Sequence, residues 1–239
     1  MLLLFMGDVL SFDLGVWAAD VRPSRAEALD TYRRLCGGEP AAVGAAPAVS
    51  AFHAALMAEF PEPTDSADET GESSSPWSAA LDVGDGHVLM AMGWGRAAQV
   101  APRAIDLAGR HGLICFDPQA GDVHVPPALR SPDALELQSC VGLSVSDPDL
   151  ETIVGAVRRL SADNWFVILE DSAGRYVQVG TGARAGAEEG GDAVEFRDGS
   201  PAGHYRCLLH DREQVVSVFM DFARARKLPT GIAWEKLTL

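Results

Sequence analysis

PPALRSPDA, residues 126–134, places three prolines in nine positions and follows neither the two-residue period of a strand nor the 3.6-residue period of a helix. Proline fixes its own φ, donates no backbone hydrogen bond and pushes the preceding residue out of the helical region. Such a run joins folded elements rather than belonging to one. It divides the 239 residues into two stretches, each long enough for a small core. Residues 1–127 read as an N-terminal domain, 128–133 as a connector and 134–239 as a C-terminal domain.

Downstream of the connector, ALELQSCVGLSV (134–145) reads as a strand. Asp147 as N-cap with Pro148 at the first helical position predicts a helix whose apolar stripe is Leu150, Ile153, Val154, Val157 and Leu160. WFVILE and RYVQVG flank DSAG (165–180) and predict a hairpin, its first strand apolar enough to be buried on both faces. AVEFRDG and GHYRCLLH predict a second hairpin, with Val194 and Phe196 inward and Glu195 and Arg197 outward. Asp211 with Gln214 then caps a helix carrying Val215, Val218, Phe219 and Phe222, which ends on the basic RARK. GIAWEKLTL closes the chain as a strand. The order is β-α-β-β-β-β-α-β.

Upstream, MLLLFMGDVL reads as an extension or first strand, with Met6 as an alternative start; it has no basic flank and no cleavage site of a secretory signal. FDLGVWAA (12–19) predicts a strand, and Ser24 with Glu27 a capping box, followed by Ala28, Tyr32 and Leu35 at helical spacing and a stop at Gly37-Gly38. Val49, Phe52, His53, Leu56, Met57 and Phe60 keep helical spacing, which puts His53 on a buried face as a core residue. PEPTDSADETGESSSP (61–76) has the composition of an acidic loop, with Asp65, Asp68, Glu69 and Glu72. A hairpin around Gly84-Asp85-Gly86 and a helix from about Arg96 to Arg110 follow. The fold class is therefore α+β: two small subdomains, each a mostly antiparallel sheet with helices packed on it.

HGLICFDPQAGDVHVPP (111–127) gathers His111, Cys115, Asp117, Asp122 and His124 within fourteen positions. It reads as two short strands and a turn. If Gln119 pairs with Asp122, Asp117 faces His124, and Cys115 sits in an apolar strand as a small hydrophobe. The spacing H-x3-C-x-D-x6-H matches no usual zinc arrangement, so no metal is expected. GTGARAGAEEGGD (180–192) fails as a phosphate loop, because no amphipathic helix follows it and Glu188, Glu189 and Asp192 repel phosphate. The six histidines, His53, His87, His111, His124, His204 and His210, are scattered without a G-x-S-x-G or H-E-x-x-H context. No catalytic residue is assigned and no cofactor is expected.

A net charge of −15 opposes binding to nucleic acid or an anionic membrane and favours a basic partner. Both halves are acidic, with −9 over residues 1–130 and −5 over 134–239, Asp133 lying between. No run of about 18 apolar residues crosses a membrane. Four cysteines, widely spaced and without C-x-x-C, suit neither a disulfide framework nor a zinc knuckle, and a reducing cytoplasm is the expected location.

NWFVILEDSAGRYVQVG, VEFRDGSPAGHYRC, the capped DREQVVSVFMDFARA and the terminal IAWEKL together resemble bacterial immunity proteins of polymorphic-toxin systems, including those opposing deaminase toxins. SFDLGVW, SPWS, GWGRA and HGLICFDPQ resemble an uncharacterised bacterial domain often joined to them. The likeness spans most of the chain as a pattern of strands, turns and a WE ending, carries over no catalytic residue, and departs at the insert 61–76. It implies an intracellular antitoxin that binds and blocks a cognate toxin domain. Glu188, Glu189, Asp192 and Glu195, on and beside an adaptable glycine-rich loop, are the candidate partner-binding residues. A secretion adaptor and a small enzyme are the alternatives.

Overall fold

The computed structural model describes residues 11–39, 42–62, 75–188, 190–200 and 202–237. The N-terminal decapeptide and the acidic residues Asp65, Asp68, Glu69 and Glu72 lie outside them. The chain forms two units, Met1–Leu129 and Arg130–Leu239, and the division falls inside the expected connector. Each unit is α+β, built on an antiparallel sheet of five or seven strands.

In the first unit β1 (Ser11–Trp17) lies at the centre, between β3 (His87–Gly93) and β4 (Ile114–Asp117), with β2 (Asp82–Val83) and β5 (Asp122–His124) at the edges. Alternation sends Phe12, Leu14 and Val16 to one face and Gly15 and Trp17 to the other. α1 (Arg25–Cys36) packs on the second face, where Trp17, Ala28, Leu35, Ile114, Phe116, Val123 and Val125 form one core. Gly15 makes that approach possible, since a Cβ there would stand 2.9 Å from the Tyr32 ring. α2 (Pro47–Glu59) and α3 (Trp94–Arg110) pack together and against β1, β3 and β4, burying Val49, Phe52, Leu56, Val100, Ala104 and Leu107. His53 is only partly buried on α2.

The capping box forms as its sequence predicts: the Ser24 backbone N–H donates to Glu27 Oε2 at 2.8 Å, and the Glu27 N–H donates to Ser24 Oγ at 3.3 Å. The Ser24 hydroxyl also donates to Glu27 Oε2, at 2.7 Å, and the backbone and hydroxyl hydrogen bonds that the carboxyl accepts from Ser24 hold it below its usual range.

The β4–β5 hairpin corrects the expected register. Asp117 faces Asp122, and Cys115 faces His124. The turn is longer than the sequence suggested because Asp117 Oδ1 accepts from the backbone N–H of Gln119 and of Ala120, at 2.8 and 3.1 Å. That Asx turn starts at Asp117 itself, and the four-residue loop from Pro118 ends on Gly121 at φ 70°. The Gln119 side chain then bonds both the N–H and the C=O of Asp13, at 2.7 and 2.8 Å, pairing the end of β1 where β4 has stopped.

The second unit orders its strands β12-β11-β10-β9-β8-β6-β7. These are β6 (Leu135–Ser139), β7 (Val145–Ser146), β8 (Phe166–Asp171), β9 (Arg175–Thr181), β10 (Asp192–Asp198), β11 (His204–Leu209) and β12 (Glu235–Lys236). α4 (Leu150–Arg158) and α5 (Arg212–Ala225) lie side by side over Val167, Leu169, Val177, Val179, Val194 and Phe196.

Three expectations change here. Residues 134–145 do not make one strand: β6 turns back on itself into β7 after Gly142, whose φ of 104° suits glycine. The N-cap of α4 is Asp149, whose carboxylate accepts from the Thr152 N–H at 2.7 Å. Asp147 sits left-handed at φ 54°, and its carboxylate instead accepts from the Ser131 N–H and hydroxyl, at 3.0 and 3.1 Å. Finally, β8 is buried on one face only: Val167 and Leu169 reach the core while Phe166 and Ile168 remain partly exposed on the other side.

Among the described residues, no helix is long and apolar enough to cross a membrane.

Candidate functional site

The helix-free face of the seven-stranded sheet collects the chemistry of the second unit. The observed register lays its side chains in rows across the strands. One row runs Ile168, Gln178, Glu195, Arg206 and Glu235; a second runs Glu136, Glu170, Tyr176, Arg197 and His204; a third runs Phe166, Gly180, Ala193 and Leu208. The period-2 alternation that buries Val194 and Phe196 under α5 places Glu195 and Arg197 here, as expected from the sequence.

Glu195 is the hub. Its Oε2 accepts from Gln178 Nε2 at 2.7 Å and lies 3.1 Å from His204 Nε2. The Tyr176 hydroxyl is 3.4 Å from the same imidazole nitrogen, and burial pushes the Tyr176 phenol up from its ordinary value. His204 is buried, and its Nδ1 has no hydrogen-bond partner. Arg206 Nη1 stands 3.5 Å from Glu195 Oε1. Its Nη2 donates to the carbonyls of Ala185 and Gly186, at 2.8 and 3.0 Å, which fastens the short 3-10 turn Ala183–Ala185 down onto the sheet.

Beside this network the sheet is hollowed. Gly180 and Ala193 are neighbours in the third row and carry almost no side chain, while Trp165, Phe166 and Ile168 stand on one side and Ala185 on the other. The resulting pocket, about 240 Å³, also has Gln178 and Glu195 in its wall. Trp165 and Phe166 meet edge to face with centroids 5.0 Å apart. Gly180 is required by a close approach, since a Cβ on it would lie 2.5 Å from Ala185 Cβ.

The four candidate partner-binding residues are placed differently. Glu188 is exposed on the loop between the Ala183–Ala185 turn and β10; Glu189 lies outside the described residues. Glu195 sits in the network just described. Asp192 is buried, and its two oxygens accept from Arg212 Nε and Nη2, at 2.9 and 3.1 Å. Arg212 also donates to the carbonyls of Val157 and Leu160, at 3.1 and 3.2 Å, so the pair ties β10 and the start of α5 to the end of α4. Sequence reasoning missed Gln178, set His204 aside as one of six scattered histidines, and missed Arg206 and Trp165. Alternation along each predicted strand would have placed the first three on one face, but not opposite one another.

Cys36, Cys115 and Cys207 are not poised for nucleophilic work. Burial, with Asp117 adding to it, pushes the Cys115 thiol far up; burial raises Cys207 to about 11, and Cys36 is raised as well. A nucleophilic thiolate needs the opposite shift. Among the described residues, no three His, Cys, Asp or Glu side chains are grouped so as to hold a metal ion.

Compared with protein-family models, with curated proteins and with solved structures, the chain finds no match in any of the three.

Proposed function

We propose that this protein is a non-enzymatic immunity protein that binds and blocks a cognate toxin domain, docking a basic surface of that domain on the helix-free face of the second unit's sheet. The observation that supports this most is the one-sidedness of that sheet: both helices cover one face, while the other presents a pocket, half-buried apolar side chains and the carboxylates of Glu136, Glu170, Glu195 and Glu235, which outnumber the guanidinium groups of Arg197 and Arg206 in the same rows. A sheet of this kind has a second face that a partner can cover without unfolding anything. The chain's net charge of −15 selects for a basic partner and accelerates the encounter more than it deepens affinity. Glu188 steers from the loop and Glu195 receives at the face, whereas Asp192 acts on stability. The site of action is intracellular, where the toxin would otherwise do harm.

The test is co-expression with the product of the neighbouring gene, which the reading expects to carry a toxin domain. The chain should restore growth and co-purify with the toxin domain as a stoichiometric complex. Association should slow as salt rises to physiological strength, where the Debye length is about 8 Å. Glu188→Lys with Glu189→Lys should slow it further while thermal unfolding stays unchanged. A toxin domain that neither binds nor is neutralised would overturn the reading.

A further inference from the structure

We infer that the pocket between Trp165, Phe166, Ile168, Ala193 and Glu195 is a receptor for one arginine side chain of the partner. This rests on the reading above and specifies what that face recognises. The pocket's polar wall decides the ligand's polarity. Gln178 donates one Nε2 N–H to Glu195 Oε2, which turns its amide so that Oε1 stands as an acceptor beside the second N–H. Glu195 Oε1 faces Arg206 Nη1 at 3.5 Å, too long for a full hydrogen bond, so it too keeps acceptor capacity. Arg206 directs its other terminal nitrogen to Ala185 and Gly186, and so remains anchored to the turn. The wall therefore offers two acceptors, one of them a carboxylate oxygen, against one amide N–H, and a ligand rich in donors suits it best.

The rest of the pocket decides the ligand's shape. Gly180 and Ala193 provide a floor with little side chain, Ile168 and Phe166 an apolar side, and Trp165 an indole. An aliphatic stem ending in a flat donor group suits that lining. Guanidinium is more weakly hydrated than ammonium, stacks on aromatic faces and presents several N–H groups in a plane. It fits the wall better than lysine does. A volume of about 240 Å³ accommodates one such side chain and not a cofactor. The net charge of −15 favours the cation over a neutral donor of similar shape.

The experiment uses the full chain and N-acetyl-arginine methylamide as probe, read by the indole N–H resonance of Trp165, assigned by its loss in Trp165→Phe. Saturable displacement of that resonance is expected, with a dissociation constant on the order of 1 mM for so small a ligand. The citrulline analogue, neutral but nearly the same shape, should bind about tenfold more weakly, as should arginine with the Glu195→Gln variant. Equal binding of arginine and citrulline, tighter binding of the tyrosine analogue, or no displacement by any of them overturns the inference. Because the ligand series is run on the unaltered chain, a misfolded Glu195→Gln variant does not remove the test. Arginine binding without protection against the toxin leaves the pocket standing and removes the immunity role; protection without arginine binding does the reverse.

Discussion

Arg212→Ala should be among the most destabilising single changes in the second unit. The Asp192 side chain is only 4% exposed, and Arg212 supplies two hydrogen bonds to its carboxylate, at 2.9 and 3.1 Å. Truncating the arginine leaves a buried charge without its counter-ion, a loss of about 3–5 kcal/mol in general. The arginine side chain is 31% exposed, so water can enter part of the space it vacates, and the lower end of that range applies. The carbonyls of Val157 and Leu160 lose a donor as well. A net loss of about 3 kcal/mol, at a urea dependence of about 1.5 kcal/mol per molar, lowers the midpoint of the unit's transition by about 2 M. Equilibrium urea unfolding of the full chain, followed by far-ultraviolet circular dichroism, measures it. Asp192→Ala combined with Arg212→Ala should cost clearly less than the two single losses added together, because the double variant buries no unpaired charge. Glu213→Ala, which breaks the solvent-exposed Arg158–Glu213 pair beside it, should leave the midpoint unchanged. Additive single losses, or an Arg212→Ala midpoint within experimental error of the parent, would refute the assignment of Asp192 to the scaffold.

Asp149→Ala should cost about 1 kcal/mol of stability by urea unfolding, the usual worth of an N-cap; no loss would return that role to Asp147. Gly180→Ala should destabilise by about 1–3 kcal/mol and lift the Ala183–Ala185 turn, seen as faster amide exchange at Ala185 and Gly186, because the new methyl would lie 2.5 Å from Ala185 Cβ. Cys115→Ala should lower stability by about 1 kcal/mol and leave partner binding intact, and an activity lost at unchanged melting temperature would make the thiol functional. Cys207 titrates near 11 when folded against an ordinary 9.0, so the unfolded chain releases this proton first. Its contribution to stability is therefore constant below pH 9 and declines as pH rises from 9 towards 11, a slope that Cys207→Ala should flatten in urea titrations.

Local chemistry made much of the fold legible. The Ser24–Glu27 box closes within one turn of chain, the helical stripes repeat every three or four residues, and the inward pair Val194 and Phe196 follows from strand alternation. The three prolines of 126–134 act through the chain's own sterics, which is why the division of the molecule could be placed from them. Periodicity says which side chains share a face, but not what covers that face, nor which residue of the next strand stands opposite. Hence β8 looked buried on both sides until its second face proved to carry no helix, and Asp117 met Asp122 instead of His124 once an Asx turn had lengthened the loop. Nor can a local pattern decide between two neighbouring carboxylates: Asp149 caps α4 because Ser131, sixteen residues before Asp147, holds the other one. The pocket is of the same kind. Gly180 and Ala193 are unremarkable residues on separate strands, and only their pairing in the register makes a hollow between an indole and a carboxylate. Asp192 reads as one more acidic residue of a glycine-rich loop until folding brings Arg212, twenty residues away, to its two oxygens. Burial then changes its role, because a carboxylate withdrawn from water must keep its counter-ion and is no longer available to a partner.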